Sequence, residues 1–247
     1  MVLILIFLYA PILTMMVLSF NKSKSRTQWG GFTLQWYTQM FDSATIMDAL
    51  VNTLLIAFVS ALIETIIGTA ASIAINSMKP LPRTIIMGIT NIPMLNADIV
   101  TGISLMLAFI AFGISLGFQT ILIAHITFNI PYVILSVMPK LKQTNKSTYE
   151  AAMDLGANPF QTFQKVVLKL SMPGVINGIV MVFLMAISSF VIPKLLGGGQ
   201  FVLIGNLIES QFVSVGDWNF GSAISLILAV LILVAMRLMK KMDVQDN

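Results

Sequence analysis

Glu150-Ala151-Ala152-Met153-Asp154-Leu155-Gly156 is the stretch around which this chain is organised, and it lies in the longest polar interruption between apolar runs, residues 140–171. The preceding Ser147-Thr148-Tyr149-Glu150 has the pattern of a capping box, in which a hydroxyl and a glutamate satisfy each other's backbone N–H groups. The alanines favour a helix, and Gly156 supplies the left-handed residue that ends one. Asn158-Pro159 then predicts a second helix, with asparagine as its cap and proline at its first position.

The composition indicates a membrane protein. The chain is 57% hydrophobic and 10% charged, whereas a soluble domain carries about 25% charged residues. Because cysteine is absent and there is one histidine, disulfide, thiolate and histidine-based metal chemistry are not expected. Residues 1–20 lack the basic start and cleavage pattern of a signal peptide and are interpreted as a first membrane helix. We therefore predict an all-α polytopic membrane protein with no cofactor and no metal.

Six stretches contain about the 20 apolar residues that a helix needs to cross a bilayer. They are residues 1–20, 49–77, 85–112, 118–138, 172–195 and 221–239. Six crossings place both termini on one side, and basic residues mark the cytoplasmic side. One set of connections and the C-terminus carry ten basic residues: Lys79, Arg83, Lys140, Lys142, Lys146, Lys165, Lys169, Arg237, Lys240 and Lys241. The opposite set carries four: Lys22, Lys24, Arg26 and Lys194. This imbalance predicts cytoplasmic termini and a cytoplasmic loop at 140–171.

That loop resembles the EAA loop of permease subunits of bacterial ATP-binding-cassette importers, whose pattern is E-A-A, three residues, G, nine residues and I-x-L-P. The matching residues are Glu150, Ala151, Ala152, Gly156 and Leu168, while Val166 stands for the isoleucine and Lys169 replaces the proline. The resemblance implies that residues 140–171 form a cytoplasmic coupling loop whose helix docks on an ATPase subunit. The alternative is a surface helical hairpin without a partner.

Several other runs resemble permeases of spermidine/putrescine importers, so that the similarity covers nearly the whole chain. These runs are residues 31–37, 98–100, 116–118, 125–128, 203–208 and 217–221. The resemblance implies a single type I permease domain, 1–247, with six helices in the lipid of the bacterial cytoplasmic membrane. It further implies a second homologous permease, a dimer of ATPase subunits, an extracytoplasmic substrate-binding protein and transport by alternating access. No nucleic acid is expected as a partner.

Two acidic residues fall inside predicted spans. Glu64 lies near the middle of the second span and Asp98 in the third, and a carboxylate there should face protein or water because exposing it to lipid is costly. The two acids are predicted to flank one cationic substrate, with Asn96, Ser188 and Ser189 as further candidates along its path. The alternative is that neighbouring amides or hydroxyls satisfy each acid for structural reasons.

Two weaker predictions concern the fourth span and the first outer loop. His125 is interpreted as a hydrogen-bonded packing residue, and Asn129 as a partner of the carbonyls freed at Pro131. Trp29 and Trp36 predict an interfacial helix with aromatic anchors, and the alternative is a docking surface for an extracellular partner.

The sequence shows no enzyme site. Gly-x-Ser pairs near His125 lack a nucleophile elbow, and the phosphate-binding pattern of a P-loop is absent. An ATP-hydrolysing subunit should therefore be a separate chain. The remaining alternatives are an importer permease for thiamine, iron(III) or a phosphonate, and, from another class, an intramembrane protease or a channel.

Overall fold

In a computed structural model, residues 2–23, 27–143 and 146–245 can be described. Within these ranges the chain is helical, and its β structure is one isolated bridge between Asn21 and Phe32. The α-helices are α1 (Val2–Ser19), α2 (Gln35–Asp42), α3 (Ala44–Ser77), α4 (Pro80–Leu95), α5 (Asp98–Ala111), α6 (Phe118–Gln143), α7 (Lys146–Asp154), α8 (Pro159–Thr162), α9 (Leu168–Ser188), α10 (Val191–Leu196), α11 (Ile204–Ser210) and α12 (Trp218–Gln245). Two π-helical segments, Phe163–Val167 and Gln211–Val215, precede α9 and follow α11. The all-α prediction is confirmed.

The centre of the fold is the packing of α3, α6 and α9, which small residues bring close together. A Cβ atom added at Gly174 would lie 2.9 Å from the carbonyl oxygen of Ser136. One added at Gly68 would lie 2.6 Å from Cβ of Val133. Glycine at such positions lets backbones approach without a side chain between them. The three helices thus form the scaffold on which the polar residues of α3 and α6 are fixed.

Four described helices are long and apolar enough to cross a membrane: Ala44–Ser77, Phe118–Gln143, Phe163–Ser188 and Trp218–Arg237. The pair α4 and α5 makes a fifth crossing if it counts as one bent span, and Leu3–Ser19 is a shorter apolar helix. Each of the six predicted stretches therefore corresponds to apolar helix. Length and composition identify four or five crossings within the described ranges, and the shorter apolar helix Leu3–Ser19 is consistent with a sixth.

The prediction of one continuous helix over 85–112 is wrong. The chain turns by 100° between α4 and α5, because Asn96 and Ala97 are extended, with ψ angles of 145° and 138°. Pro93 has no N–H to bond the preceding turn, which weakens the end of α4. Asp98 is consequently the first residue of α5, directly after this bend, rather than a residue inside one continuous helix.

The predicted span 172–195 is also broken. The helix ends at Ser188, Ser189 is extended with ψ of 132°, and a new helix begins at Val191. In a continuous helix Pro193 could not donate to the carbonyl of Ser189, and its ring would press against that carbonyl. At this break, serine hydroxyls are accessible, as are backbone groups that an unbroken helix would use in its own hydrogen bonds.

Trp36 is not a membrane anchor, contrary to the prediction. It is 3% exposed, its Nε1 donates to the carbonyl oxygen of Asn21 at 2.8 Å, and its ring packs against Phe220. Asn219 donates to the same carbonyl of Asn21 at 3.0 Å. The first outer loop is thereby fastened to the start of α12, whereas Trp29 is 57% exposed.

Candidate functional site

A cavity of about 140 Å³ lies where the two helix breaks meet the middle of α6. The break before α5 contributes Asp98, and the break after α9 contributes Ser188 and Ser189. Helix α6 adds His125 and Asn129, and Phe128, Met185, Phe190, Val191 and Ile192 complete the wall. Three of the five predicted path residues are thus brought to one cavity, although they lie up to 91 residues apart in sequence.

Asp98 is the charged residue of this cavity. It is exposed, and among the described side chains it has no ion-pair partner. As the first residue of α5 it sits at a helix N-terminus, where the macrodipole favours a negative charge. The arrangement presents a carboxyl group to whatever enters the cavity.

Ser188 and Ser189 supply the cavity with short polar groups. The hydroxyl of Ser188 donates to the carbonyl oxygen of Leu184 at 2.9 Å, which leaves its oxygen lone pairs able to accept a hydrogen bond. Because Ser189 is extended, the helix ends here rather than covering the cavity. Asn96 is exposed in the other break and does not belong to the lining.

Glu64 does not line the cavity, so the two acids do not flank a common space. Its side chain is fully buried, and Oε1 accepts a hydrogen bond of 3.3 Å from Nδ2 of Asn129. Oε2 has no partner among the described residues. Asn129 itself lines the cavity, so it separates Glu64 from the open space. This geometry agrees with the alternative interpretation of Glu64, in which a neighbouring amide satisfies the acid by a hydrogen bond.

Asn129 and His125 do more than the sequence indicated. Asn129 pairs with Glu64 rather than with carbonyls near Pro131, and α6 continues through Pro131 without a break. His125 is hydrogen-bonded as predicted, with Nδ1 2.9 Å from the carbonyl oxygen of Ile121. Since that oxygen only accepts, Nδ1 carries the hydrogen. The other nitrogen, Nε2, is buried without a described partner, in a residue that lines the cavity.

A second cavity of about 340 Å³ adjoins the first and shares Ser188 and Phe190 with it. Glu209 of α11 is its acidic residue, and Oε1 of Glu209 lies 2.7 Å from Nζ of Lys194. Sequence analysis missed Glu209 because it lies in a connection between predicted spans. The sequence does contain one indication of this site, because Glu209 is a single acidic residue within the mostly apolar run that follows Leu203.

The polar loop has the predicted hairpin geometry. Gly156 has φ of +86°, its N–H donates to the carbonyl of Met153 at 2.9 Å, and the N–H of Ala157 donates to that of Ala152 at 3.2 Å. These two bonds define a Schellman motif. In this motif the left-handed residue, here Gly156, follows the helical residue Ala152 by four positions. Leu155, at the end of the hairpin, is 90% exposed.

The second helix of the hairpin starts as predicted. Asn158 Oδ1 accepts from the N–H of Gln161 at 2.8 Å, and Gln161 Oε1 accepts from the N–H of Asn158 at 3.2 Å. Pro159 is the first helical residue, and the chain stays helical through Leu168 and Lys169 into α9. Lysine in place of the pattern's proline therefore leaves an unbroken helix at this point.

The start of the first helix is only partly described. Helix α7 begins at Lys146, one residue before the predicted cap Ser147, a difference within the usual uncertainty of helix ends. Ala151 is exposed and Ala152 half-buried. The side chain of Glu150 lies outside the described part of the structure.

No group of three or more metal-ligating side chains occurs in the described ranges. The site therefore consists of a carboxylate, hydroxyls, an amide, an imidazole and apolar walls. The four kinds of polar group can bind a cation that carries N–H donors, because each of them has an atom that accepts a hydrogen bond.

Comparison with known proteins gives matches along most of the chain. Residues 65–243 match the family described as the inner membrane component of binding-protein-dependent transport systems. Over 244 residues the chain is 32% identical to the spermidine/putrescine transport system permease protein PotC of Escherichia coli (strain K12), covering 98% of this chain and 92% of that protein. It is 32% identical over 212 residues to the putrescine transport system permease protein PotI of the same strain, covering 83% and 75%.

The fold is similar to that of a solved membrane transporter. A chain in the crystal structure of a bacterial alginate ABC transporter, in complex with an alginate pentasaccharide-bound periplasmic protein, superposes with a TM-score of 0.74. The two chains are 16% identical, and the superposition covers 98% of this chain and 90% of the other. At this identity the likeness concerns the fold alone.

Proposed function

This chain belongs to the family of inner membrane components of binding-protein-dependent transport systems, and we propose that it forms part of the path by which polyamines enter the cell. It is a multi-pass inner membrane protein and a non-catalytic subunit, so ATP hydrolysis belongs to a separate chain. The transported substrate in this proposal is spermidine or putrescine.

The single observation that carries the substrate proposal is the cavity with Asp98 at its edge and Ser188 and Ser189 in its wall. A polyamine presents ammonium groups, which need a carboxylate and further acceptors, and methylenes, which need apolar contact. Phe128, Phe190 and Ile192 supply that contact. The relatives PotC and PotI, named for spermidine/putrescine and putrescine transport, support the same substrate class.

The loop at 140–171 is, in this proposal, the surface that transmits ATPase movement to the spans. Glu150, Ala151, Ala152, Gly156 and Leu168 are its coupling residues. The hydrogen-bonded Schellman turn and the exposed Leu155 support a docking role, because an exposed apolar side chain on a defined turn suits a groove on a partner. The helix then runs from Pro159 into α9, which ends at the Asp98 cavity.

The proposed assembly contains a second homologous permease, two ATPase subunits and an extracytoplasmic substrate-binding protein. Both termini and the 140–171 loop face the cytoplasm. Movement of the loop would tilt α9 and alternate the access of the cavity to the two sides of the membrane.

Reconstitution tests the proposal. Affinity purification in mild detergent and mass spectrometry should identify the three partner types, and the complex in proteoliposomes should take up radiolabelled spermidine in an ATP-dependent manner. Excess unlabelled putrescine should reduce that uptake, whereas thiamine, iron(III) and a phosphonate should not. ATP-dependent uptake of one of those three solutes, with none of spermidine or putrescine, would assign the chain to another substrate.

A further inference from the structure

Glu209 lies outside the Asp98 cavity but borders the cavity next to it. The two cavities share Ser188 and Phe190, so one wall separates the two carboxylates. The remainder of the second cavity is largely apolar, with Ile208, Leu228 and Ile232 among its lining residues. The pair of cavities thus presents a carboxylate, an apolar stretch and a second carboxylate, which is the order of groups that a polyamine requires.

Glu209 already binds an ammonium group in this structure. Nζ of Lys194 lies 2.7 Å from its Oε1, a charge-assisted contact of ordinary length. The side chain of Lys194 is 57% exposed and that of Glu209 is 23% exposed. The lysine is the more exposed partner, so its ammonium can move into solvent when another ammonium takes its place on the carboxylate.

Helix α11 fixes the position of Glu209 relative to the break after α9. Nδ2 of Asn206 donates to the carbonyl oxygen of Phe190 at 2.8 Å. A Cβ atom added at Gly205 would lie 2.7 Å from the carbonyl oxygen of Ser189, so α11 lies directly on the backbone that forms the shared wall. Glu209 is therefore fixed relative to Ser188 and Phe190 rather than placed on an independent loop.

We propose that Glu209 is a second ammonium-binding site on the substrate path, which Lys194 occupies until a substrate ammonium displaces it. Asp98 and Glu209 would then hold two ammonium groups of one polyamine, with the methylenes against Phe190. The inference deepens the proposed function and rests on it. It also assigns Lys194 a role as an internal competitor for the Glu209 carboxylate.

Three variants of the complete transporter test the assignment: Glu209→Gln, Lys194→Met and the two combined. The measurement is the initial rate of radiolabelled spermidine uptake into proteoliposomes at saturating substrate-loaded binding protein, with complex assembly and basal ATPase activity recorded for each. Glu209→Gln should lower uptake about tenfold, since one charge-assisted contact is lost. Lys194→Met should raise uptake, because the competing ammonium is removed, and the double variant should be as slow as Glu209→Gln.

The competing explanation is that the ion pair is only structural. It predicts that Lys194→Met is impaired as much as Glu209→Gln, and that the double variant recovers because neither charge is left alone. That result, or normal uptake by Glu209→Gln, overturns the second site while leaving polyamine import intact. If the unmodified complex imports no polyamine, the proposed function fails and this inference fails with it.

Discussion

Nδ2 of Asn129 donates to Oε1 of Glu64 across 3.3 Å, joining two helices through residues 65 positions apart. The bond fixes a buried carboxylate behind the wall of the Asp98 cavity. The two acids therefore have different surroundings, with Glu64 buried against Asn129 and Asp98 open to the cavity.

Asp98→Asn should lower spermidine or putrescine uptake about tenfold or more, because a neutral amide cannot replace a charge-assisted contact. Complex assembly and basal ATPase activity should change little, since Asp98 is exposed and has no described ion-pair partner. Radiolabelled uptake in cells that lack other polyamine importers, with the permease level checked by blotting, measures the effect. Asp48→Asn is the matched control, an exposed acid outside both cavities, and equal uptake by the two variants would remove Asp98 from the path.

Glu64→Gln should preserve both stability and uptake, because the glutamine carbonyl can accept the same hydrogen bond from Asn129. Glu64→Leu should destabilise the protein by about 1–3 kcal/mol, since it leaves the buried amide without its partner. Thermal unfolding of the purified complex in detergent separates the two variants. A large loss of uptake by a stable Glu64→Gln complex would show that the charge itself is required.

Gly156→Val should abolish transport while the protein still inserts into the membrane. A Cβ atom at Gly156 would meet nothing within 4 Å, but the residue has φ of +86°, so the cost is backbone strain and not a clash. Gly156→Ala should be milder. Gly88→Val is the control, because Gly88 has the same free space in an ordinary helical conformation. Normal uptake by Gly156→Val would refute a coupling role for the turn.

Ser147→Cys should react with an impermeant thiol reagent only from the cytoplasm, and Gln28→Cys only from outside. Both positions are exposed, and the chain contains no other cysteine. Labelling of intact cells and of inverted membrane vesicles gives the two readings. The reverse pattern would overturn the orientation inferred from ten basic residues against four.

Local signals allowed the loop to be predicted from the sequence in detail. The Gly156 turn depends on its own φ and on two nearby carbonyls, and the Asn158 cap depends on a residue three positions later. Features of this kind are encoded within a few residues, so a single sequence suffices to find them.

The cavity could not be predicted in the same way. Both helix breaks lie inside long, mostly apolar runs, and the extended backbone at Asn96 and Ser189 marks them only in the structure. The partner of Asn129 lies in another span, and Glu209 lines a cavity with Ser188 only because α11 packs on that break. Such pairings follow from tertiary packing, which one sequence without relatives does not reveal.

The carbonyl oxygen of Asn21 accepts hydrogen bonds from Trp36 and from Asn219. Trp36 leaves the ribosome 15 residues after Asn21, whereas Asn219 leaves it 198 residues after Asn21. During synthesis the corner at the C-terminal end of α1 therefore cannot form its last hydrogen bond until nearly the whole chain has been made. Completion of this corner is a late step of biogenesis.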